Sequence, residues 1–294
     1  MKKFFLVLSI LFCFAVFYAY ADSSITVTDA AGSTIVLSRP AKRIVSLNPT
    51  ITEIIFAIGS GNNIVGVTNF CNYPEEANSI EKVGGFSGAS ISIEKIISLK
   101  PDIVFVSADM HVRIIELLNQ AGIISFAYEP KNMNDIFSSI TTLGQLTDCD
   151  DGAANIISQM QEKISQASKL SAGKKTVSVF WEIWNPPLMT AGQNTFINEA
   201  INLAGGKNIF DDVTSSWPEV SVEQVIMRNP QWIMSDDSHE ENVTQAALMQ
   251  RPGWARIDAV RNKKIGTIHA DMIMRAGPRL ADAILQMAEF FYGD

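Results

Sequence analysis

Asp151-Gly152-Ala153-Ala154-Asn155-Ile156-Ile157-Ser158-Gln159-Met160-Gln161-Glu162-Lys163-Ile164-Ser165-Gln166-Ala167-Ser168-Lys169-Leu170 is the stretch on which the architecture turns. It holds no proline, and its one glycine stands second. Ala154, Ile156, Ile157, Met160, Ile164 and Ala167 recur at helical spacing, which predicts a single amphipathic helix about 30 Å long. Ser171-Ala172-Gly173-Lys174-Lys175 then ends it.

The pattern differs on both sides of this helix. Upstream, Ile25 to Leu37 alternates in part around Asp29-Ala30-Ala31-Gly32 and reads as a hairpin. Arg43 to Leu47, Ile64 to Val67, Ile103 to Val106 and Ile123 to Ala127 read as short buried strands. Helical patterns fall between them, through Glu53 to Ile58, Ile91 to Leu99 and His111 to Gln120. Downstream, Val177 to Phe180 restarts the alternation. Strands alternating with helices predict an α/β fold with mostly parallel central sheets. The expected organisation is an N-terminal lobe over 22–148, an interlobe helix over 149–173 and a C-terminal lobe over 174–294. One long helix between lobes is a stiff connection, unlike the several strands of a wide hinge.

The two lobes echo each other. Ser92-Ile93-Glu94 leading to Pro101 matches Ser221-Val222-Glu223 leading to Pro230, at an offset of 129. Thr52-Glu53 through Gly59 similarly precedes Asn63-Ile64, as Asn198-Glu199 through Gly205 precedes Asn208-Ile209. Two echoes in the same order point to a repeated lobe.

The first residues stand apart. Met1-Lys2-Lys3 is basic, Phe4 to Tyr18 carries no charge, and Ala19-Tyr20-Ala21 ends the run. This is the pattern of a cleavable secretory signal peptide over 1–21. The apolar stretch, about 18 residues, is at the lower limit for a membrane span. Bulky Phe12 before Cys13 stands against lipidation there. The expected location is periplasmic. Cleavage would leave Cys71 and Cys149, either as a disulfide or as two thiols.

Composition narrows the function. A hydrophobic content of 47% with 18% charged residues is globular, not disordered. A formal charge of −8 gives no basic footprint for nucleic acid. Gly-x-Ser-x-Gly, the phosphate-binding Gly-x-x-x-x-Gly-Lys and Gly-x-Gly-x-x-Gly do not occur, and His111, His239 and His269 fit no triad spacing. The chain is therefore not expected to be an enzyme, and no resident cofactor is expected. His239-Glu240-Glu241 and His269-x-Asp271 offer a zinc or manganese site as a lesser alternative, although the former sits in an acidic loop.

Arg43-Ile44-Val45-Ser46-Leu47-Asn48-Pro49 with Thr52-Glu53, Tyr73-Pro74, Leu99-Lys100-Pro101-Asp102, Ala204-Gly205-Gly206-Lys207-Asn208-Ile209-Phe210, Glu223-Gln224-Val225 and Gly277-Pro278-Arg279 occur in an order that resembles one family. It is the periplasmic substrate-binding proteins of the helical-backbone class, which serve ABC importers for cobalamin, haem or iron-siderophores. Among them the chain is most similar to the cobalamin binders, through Asn185-Pro186-Pro187, Trp217-Pro218-Glu219-Val220-Ser221 and Asp271-Met272-Ile273-Met274-Arg275.

The resemblance implies a ligand held between the lobes, cobalamin or another corrinoid, with a ferric siderophore or haem as alternatives. A flat corrin edged with amides needs aromatic faces and a few placed polar groups. Phe70, Phe86 and Trp217 match family aromatic positions, and Trp184 adjoins the Asn-Pro-Pro motif. Asp271 and Arg275, four apart, would pair on one helical face and meet the ligand's amides or phosphate. The chain departs from the cobalamin pattern at Leu188 and Ser107, where aromatics are expected; Trp184 or Met110 is available in their place. The resemblance also implies that Glu94 and Glu223, one per lobe, meet arginines of a membrane permease dimer with its ATPase subunits, the binder acting as a monomer.

Overall fold

A computed structural model of the protein describes residues 24–238 and 243–293. The signal-peptide reading, Cys13 and His239-Glu240-Glu241 lie outside the described residues. The chain enters through the expected hairpin, β1 (Ile25–Thr28) antiparallel to β2 (Thr34–Leu37). The Asp29 carboxylate accepts from the Ala31 and Ser33 amides of the turn and from the Ala127 amide, tying the hairpin to the sheet beside it.

The first lobe runs β3 (Ile44–Ser46), α1 (Pro49–Ala57), β4 (Ile64–Val67), α2 (Ile93–Ser98), β5 (Ile103–Ser107), α3 (Val112–Gln120) and β6 (Ser125–Tyr128). Its strands are all parallel, in the order β4-β3-β5-β6. Every residue of β3, β5 and β6 is buried, as expected for parallel strands covered on both faces. Ser107 extends the third strand one residue beyond the expected run.

Two helices follow, α4 (Met133–Thr147), whose end stays with this lobe as the Leu146 carbonyl accepts from the Ala41 amide, and α5 (Asp150–Ser171). At 22 residues, α5 is the expected long helix, about 33 Å at helical rise. Asp150 and Asp151 in its first turn and Lys169 in its last complement the helix dipole. Gly152 is required by packing: a Cβ there would lie 2.0 Å from the Ile58 carbonyl oxygen at the end of α1. Sequence reading missed α4, whose centre, Ser138-Ser139-Ile140-Thr141-Thr142, is poor in helix formers. Thr141, Thr142 and Thr147 turn their hydroxyls to carbonyls four residues back, and Met133, Ile136, Ile140 and Leu143 supply the buried face.

The second lobe runs β7 (Val177–Trp184), β8 (Met189–Thr190), α6 (Phe196–Leu203), β9 (Gly206–Asn208), α7 (Val222–Arg228), β10 (Trp232–Asp236), α8 (Gln245–Gln250), α9 (Asp258–Arg261), β11 (Ile265–Ile268), α10 (Ala270–Ile273) and α11 (Leu280–Tyr292). Its parallel strands lie in the order β9-β7-β10-β11, the order of the first lobe repeated, with β8 antiparallel to the far end of β7. The expected strand Val177–Phe180 thus runs on to Trp184. Trp181 and Trp184 are strand residues, and Trp181 is fully buried.

The repeat extends to single hydrogen bonds. Ser92 and Ser221 each cap their helix by accepting the third amide of the first turn. Ile96 and Val225 are each fully buried one turn on. Lys100 and Asn229 are both left-handed, at φ 47° and 41°. The amides of Asp102 and Gln231 donate to the Arg43 and Ser178 carbonyls, and their side chains accept from the Arg43 and Ser178 amides. Gly59 and Gly205 close α1 and α6 at φ 95° and 85°.

The outer face of each sheet has its own apolar core, Val45, Val104 and Val106 in one lobe and Phe180, Ile233 and Trp254 in the other. The inner faces share one. It runs from Ile44, Ile54 and Phe105 through Ile136 and Met160 to Trp181, Ile201 and Ile284. Cys71 and Cys149 are separate thiols, not a disulfide. Cys71 is buried, 3.2 Å from the hydroxyls of Thr52 and Thr68.

Candidate functional site

Parallel sheets present their ligand crevices at the carboxyl ends of the strands. In the first lobe those ends lead into Asn48, Ser107 to Met110, and Tyr128 to Pro130. Across from them stand the N-terminus of α6 and the segment Met274-Arg275-Ala276 after α10. Together they enclose a compartment of about 350 Å³. A second compartment of about 810 Å³ is lined by Lys131, Asn132, Asn194, Glu199 and Trp217 among others. The two share Asp109, Glu129, Pro130 and Phe196, so they form one trough between the lobes.

Aromatic surface reaches it from both walls. Phe86 lines the first compartment, and the exposed Phe70 meets it edge-on at 5.9 Å. Trp217 lines the second, edge-on to Phe196 at 6.3 Å. Trp217 is 41% exposed within the second compartment, and a large apolar side chain left open in a cleft is a binding feature; Phe70, 56% exposed, stands beside Phe86 but lines neither compartment. Trp184 is also exposed, but lines a separate small crevice with Ser235 and Asp236, its indole N–H donating to the Pro186 carbonyl at 2.6 Å. Of the two expected aromatic positions, Leu188 is buried in the outer core of the second lobe, while Ser107 does face the trough.

His111 fixes the Phe86 loop from behind. The Ser107 amide donates to Nδ1 at 3.0 Å, so Nε2 carries the proton and donates to the Phe86 carbonyl at 2.8 Å. Burial holds the His111 pKa below its ordinary value, against the opposing effect of that Phe86 bond. On the adjoining β6 edge, burial pushes the Glu129 carboxyl up, and nearby Asp109 adds to the effect.

Asp271 and Arg275 do pair, at 2.8 Å. Arg275 lines the trough floor, but its guanidinium also donates to Glu53 and to Asn72, both in the first lobe. Arg279 reaches the same Glu53 carboxylate with two bonds of 2.8 and 2.6 Å and stacks on Tyr73 at 4.0 Å. Asp271 is not among the trough-lining residues. The tetrad of buried Glu53 with the partly buried Asp271, Arg275 and Arg279 is balanced in charge and ties the lobes together, as does the Tyr128 hydroxyl donating to the Ala276 carbonyl. Burial raises the Tyr128 pKa, so this donor keeps its proton. Sequence reading missed Glu53, Arg279 and Phe196 as site residues. The signals were present: Arg275 and Arg279 are four apart, and Glu53 and Glu199 are repeat equivalents.

Glu94 and Glu223 are exposed in the first turns of α2 and α7. Each helix leads back to the start of the following parallel strand, so its N-terminus lies toward the strand ends where the trough opens. Among the described residues, no helix is long and apolar enough to cross a membrane.

Two lobes of like strand order, joined by a long helix around a shared trough, define a two-lobed solute-binding protein. The sequence matches the Periplasmic binding protein family over residues 44–272, and the chain belongs to that family. It is 32% identical over 278 residues to the uncharacterized ABC transporter substrate-binding lipoprotein YvrC of Bacillus subtilis, covering 92% of this chain and 86% of the relative. The crystal structure of the periplasmic vitamin B12 binding protein BtuF of Vibrio cholerae superposes with a TM-score of 0.73 at 29% identity, covering 85% of this chain and 96% of that one. The apo structure of the periplasmic heme-binding protein RhuT from Roseiflexus sp. RS-1 gives 0.75 at 27% identity, covering 86% and 98%. The chain is thus a substrate-binding transport protein and not an enzyme.

Proposed function

We propose that this protein captures a corrinoid in the interlobe trough and delivers it to an ABC importer. The observation that carries the reading is the aromatic surface on both walls, Phe86 from one lobe, with Phe70 against it, and Trp217 with Phe196 from the other. A flat, largely apolar ring edged with amides suits such a slot. Each ~100 Å² of apolar surface covered contributes about 2.5 kcal/mol before ordering costs. Polar partners for the amides are Asn132 Nδ2 and Asn194 Oδ1, each residue's other amide atom being held by the Asp135 amide and the Thr214 carbonyl respectively. Similarity to a vitamin B12 binder supports the choice. Trp184 would meet only a ligand that overhangs the trough. Arg275 supplies its edge while held by the tetrad.

A ferric siderophore or haem is the second reading. It is favoured by the absence of two stacking faces, Ser107 being small and Leu188 turned into the core, and by the similarity to a haem binder. Calorimetric titration with cyanocobalamin, haem and several ferric siderophores separates the two. Saturable one-site heat with cyanocobalamin supports the corrinoid. Heat only with a siderophore or haem overturns it.

In this reading Glu94 and Glu223 present one carboxylate per lobe to a two-fold permease, while the binder acts as a monomer. Residues 1–21 direct export and are removed. The intact mass of the exported protein checks this: a chain starting at Asp22 fits, and a lipidated Cys13, in keeping with the lipoprotein relative, would replace it.

A further inference from the structure

The trough has an uneven charge. Its lining carboxylates are Asp109, Glu129 and Glu199, and its lining cations are Lys131 and Arg275. Arg275 is not available to a ligand's charge, because Glu53 and Asp271 already pair with it and with Arg279. Lys131 alone therefore faces three carboxylates. Glu199 accepts the Met133 amide at 2.8 Å and sits to one side. Asp109 and Glu129 border both compartments and stand where any ligand spanning the trough must pass. The two helices that open on the trough do not offset this. The first amides of α1 are taken by the Asn48 side chain, and the α6 end is capped by Thr195.

We infer that Asp109 and Glu129 are specificity-determining residues that exclude anionic ligands, so that the trough takes neutral or cationic ring and metal complexes. The physical cause is short-range repulsion between like charges; both carboxylates are exposed, so the effect should weaken as salt is added. Haem, with two propionates, meets like charge. Cyanocobalamin, with an amide rim and a single phosphate balanced by the cobalt–corrin charge, is neutral overall and meets far less repulsion. The inference rests on the corrinoid reading for its ligand and on the charge pattern for its rule.

The test uses ligands matched in shape and differing in charge. Cyanocobalamin is titrated against its monocarboxylic acids, in which one peripheral amide is hydrolysed. The wild-type protein should bind the acids at least tenfold more weakly. In D109N/E129Q that ratio should fall to within about threefold, whatever happens to the absolute affinity. K131Q, which removes the opposing cation, should widen it, and serves if the double variant does not fold. Equal binding of acid and amide by the wild type overturns the inference, as does an unchanged ratio in both variants. If no corrinoid binds, the proposed function fails by itself. The charge rule is then read from a ferric trihydroxamate with a pendant amine and the same complex succinylated, the cationic form being expected to bind more tightly. Tighter binding of the succinylated form overturns the rule.

Discussion

Glu53 and Arg275, separated by 222 positions in sequence, form a largely buried ion pair across the lobe boundary, and Arg279 binds the same carboxylate. Removing one partner of a buried pair leaves the others uncompensated. Glu53→Ala should therefore destabilise the protein by about 3–5 kcal/mol, read as a lower urea midpoint. A loss under about 1 kcal/mol, the scale of a surface pair, would show the tetrad to be hydrated.

Trp217 has open aromatic surface and no role in the apolar cores. Trp217→Ala should weaken corrinoid binding by about tenfold or more, ~1.4 kcal/mol per factor of ten, with the thermal midpoint almost unchanged. Phe86→Ala should act in the same direction. Calorimetry on both variants checks this, and unaltered affinity would remove the aromatic walls from the site.

His111 gives a pH dependence of known sign. Its folded pKa is depressed by burial, so the unfolded chain binds its proton more readily. The neutral form is fully compatible with folding above the unfolded value of about 6.5. Stability is lost as pH falls through that value toward the folded one. Glu129 acts oppositely: its folded pKa is raised, so its contribution is complete below the ordinary carboxylate range and is lost as pH rises through the folded value. Urea midpoints for wild type and His111→Gln across mildly acid pH should converge on acidification.

Gly152 packs its Cα against the Ile58 carbonyl. Gly152→Ala should cost about 1–3 kcal/mol as an overpacked contact, despite the higher helix propensity of alanine. A gain in thermal midpoint would mean that α5 can shift away from α1.

Replacing both Glu94 and Glu223 by alanine should abolish importer-coupled uptake and leave ligand affinity intact. The two side chains are exposed and neither lines the trough, and the helix caps Ser92 and Ser221 remain. Normal uptake by the double variant would discard the docking role.

Much of the architecture was legible because it rests on local patterns. The long helix, the first lobe's buried strands, the start of the second lobe's sheet at Val177 and the repeat at offset 129 follow from periodicity and turn residues alone. What was not legible depends on distant partners. The helix Met133–Thr147 is built from Ser and Thr whose hydroxyls are satisfied only once the helix forms. The strand expected over Val177–Phe180 continues to Trp184, and that extension places Trp181 in the core. Asp271 and Arg275 were read as a pair, but sequence could not show that Glu53 and Arg279 complete the group and hold Arg275 in place. Asp109 and Glu129 were passed over because isolated acids at strand ends carry no periodic signal.

The apolar core shared by the inner faces of both sheets has a consequence for the chain as material. Cutting the polypeptide within Asp150–Ser171 would strip each fragment of half its oil, from Ile54 and Met160 on one side to Trp181 and Ile284 on the other. Neither piece would be expected to persist alone, and the intact molecule should melt in one cooperative step on heating.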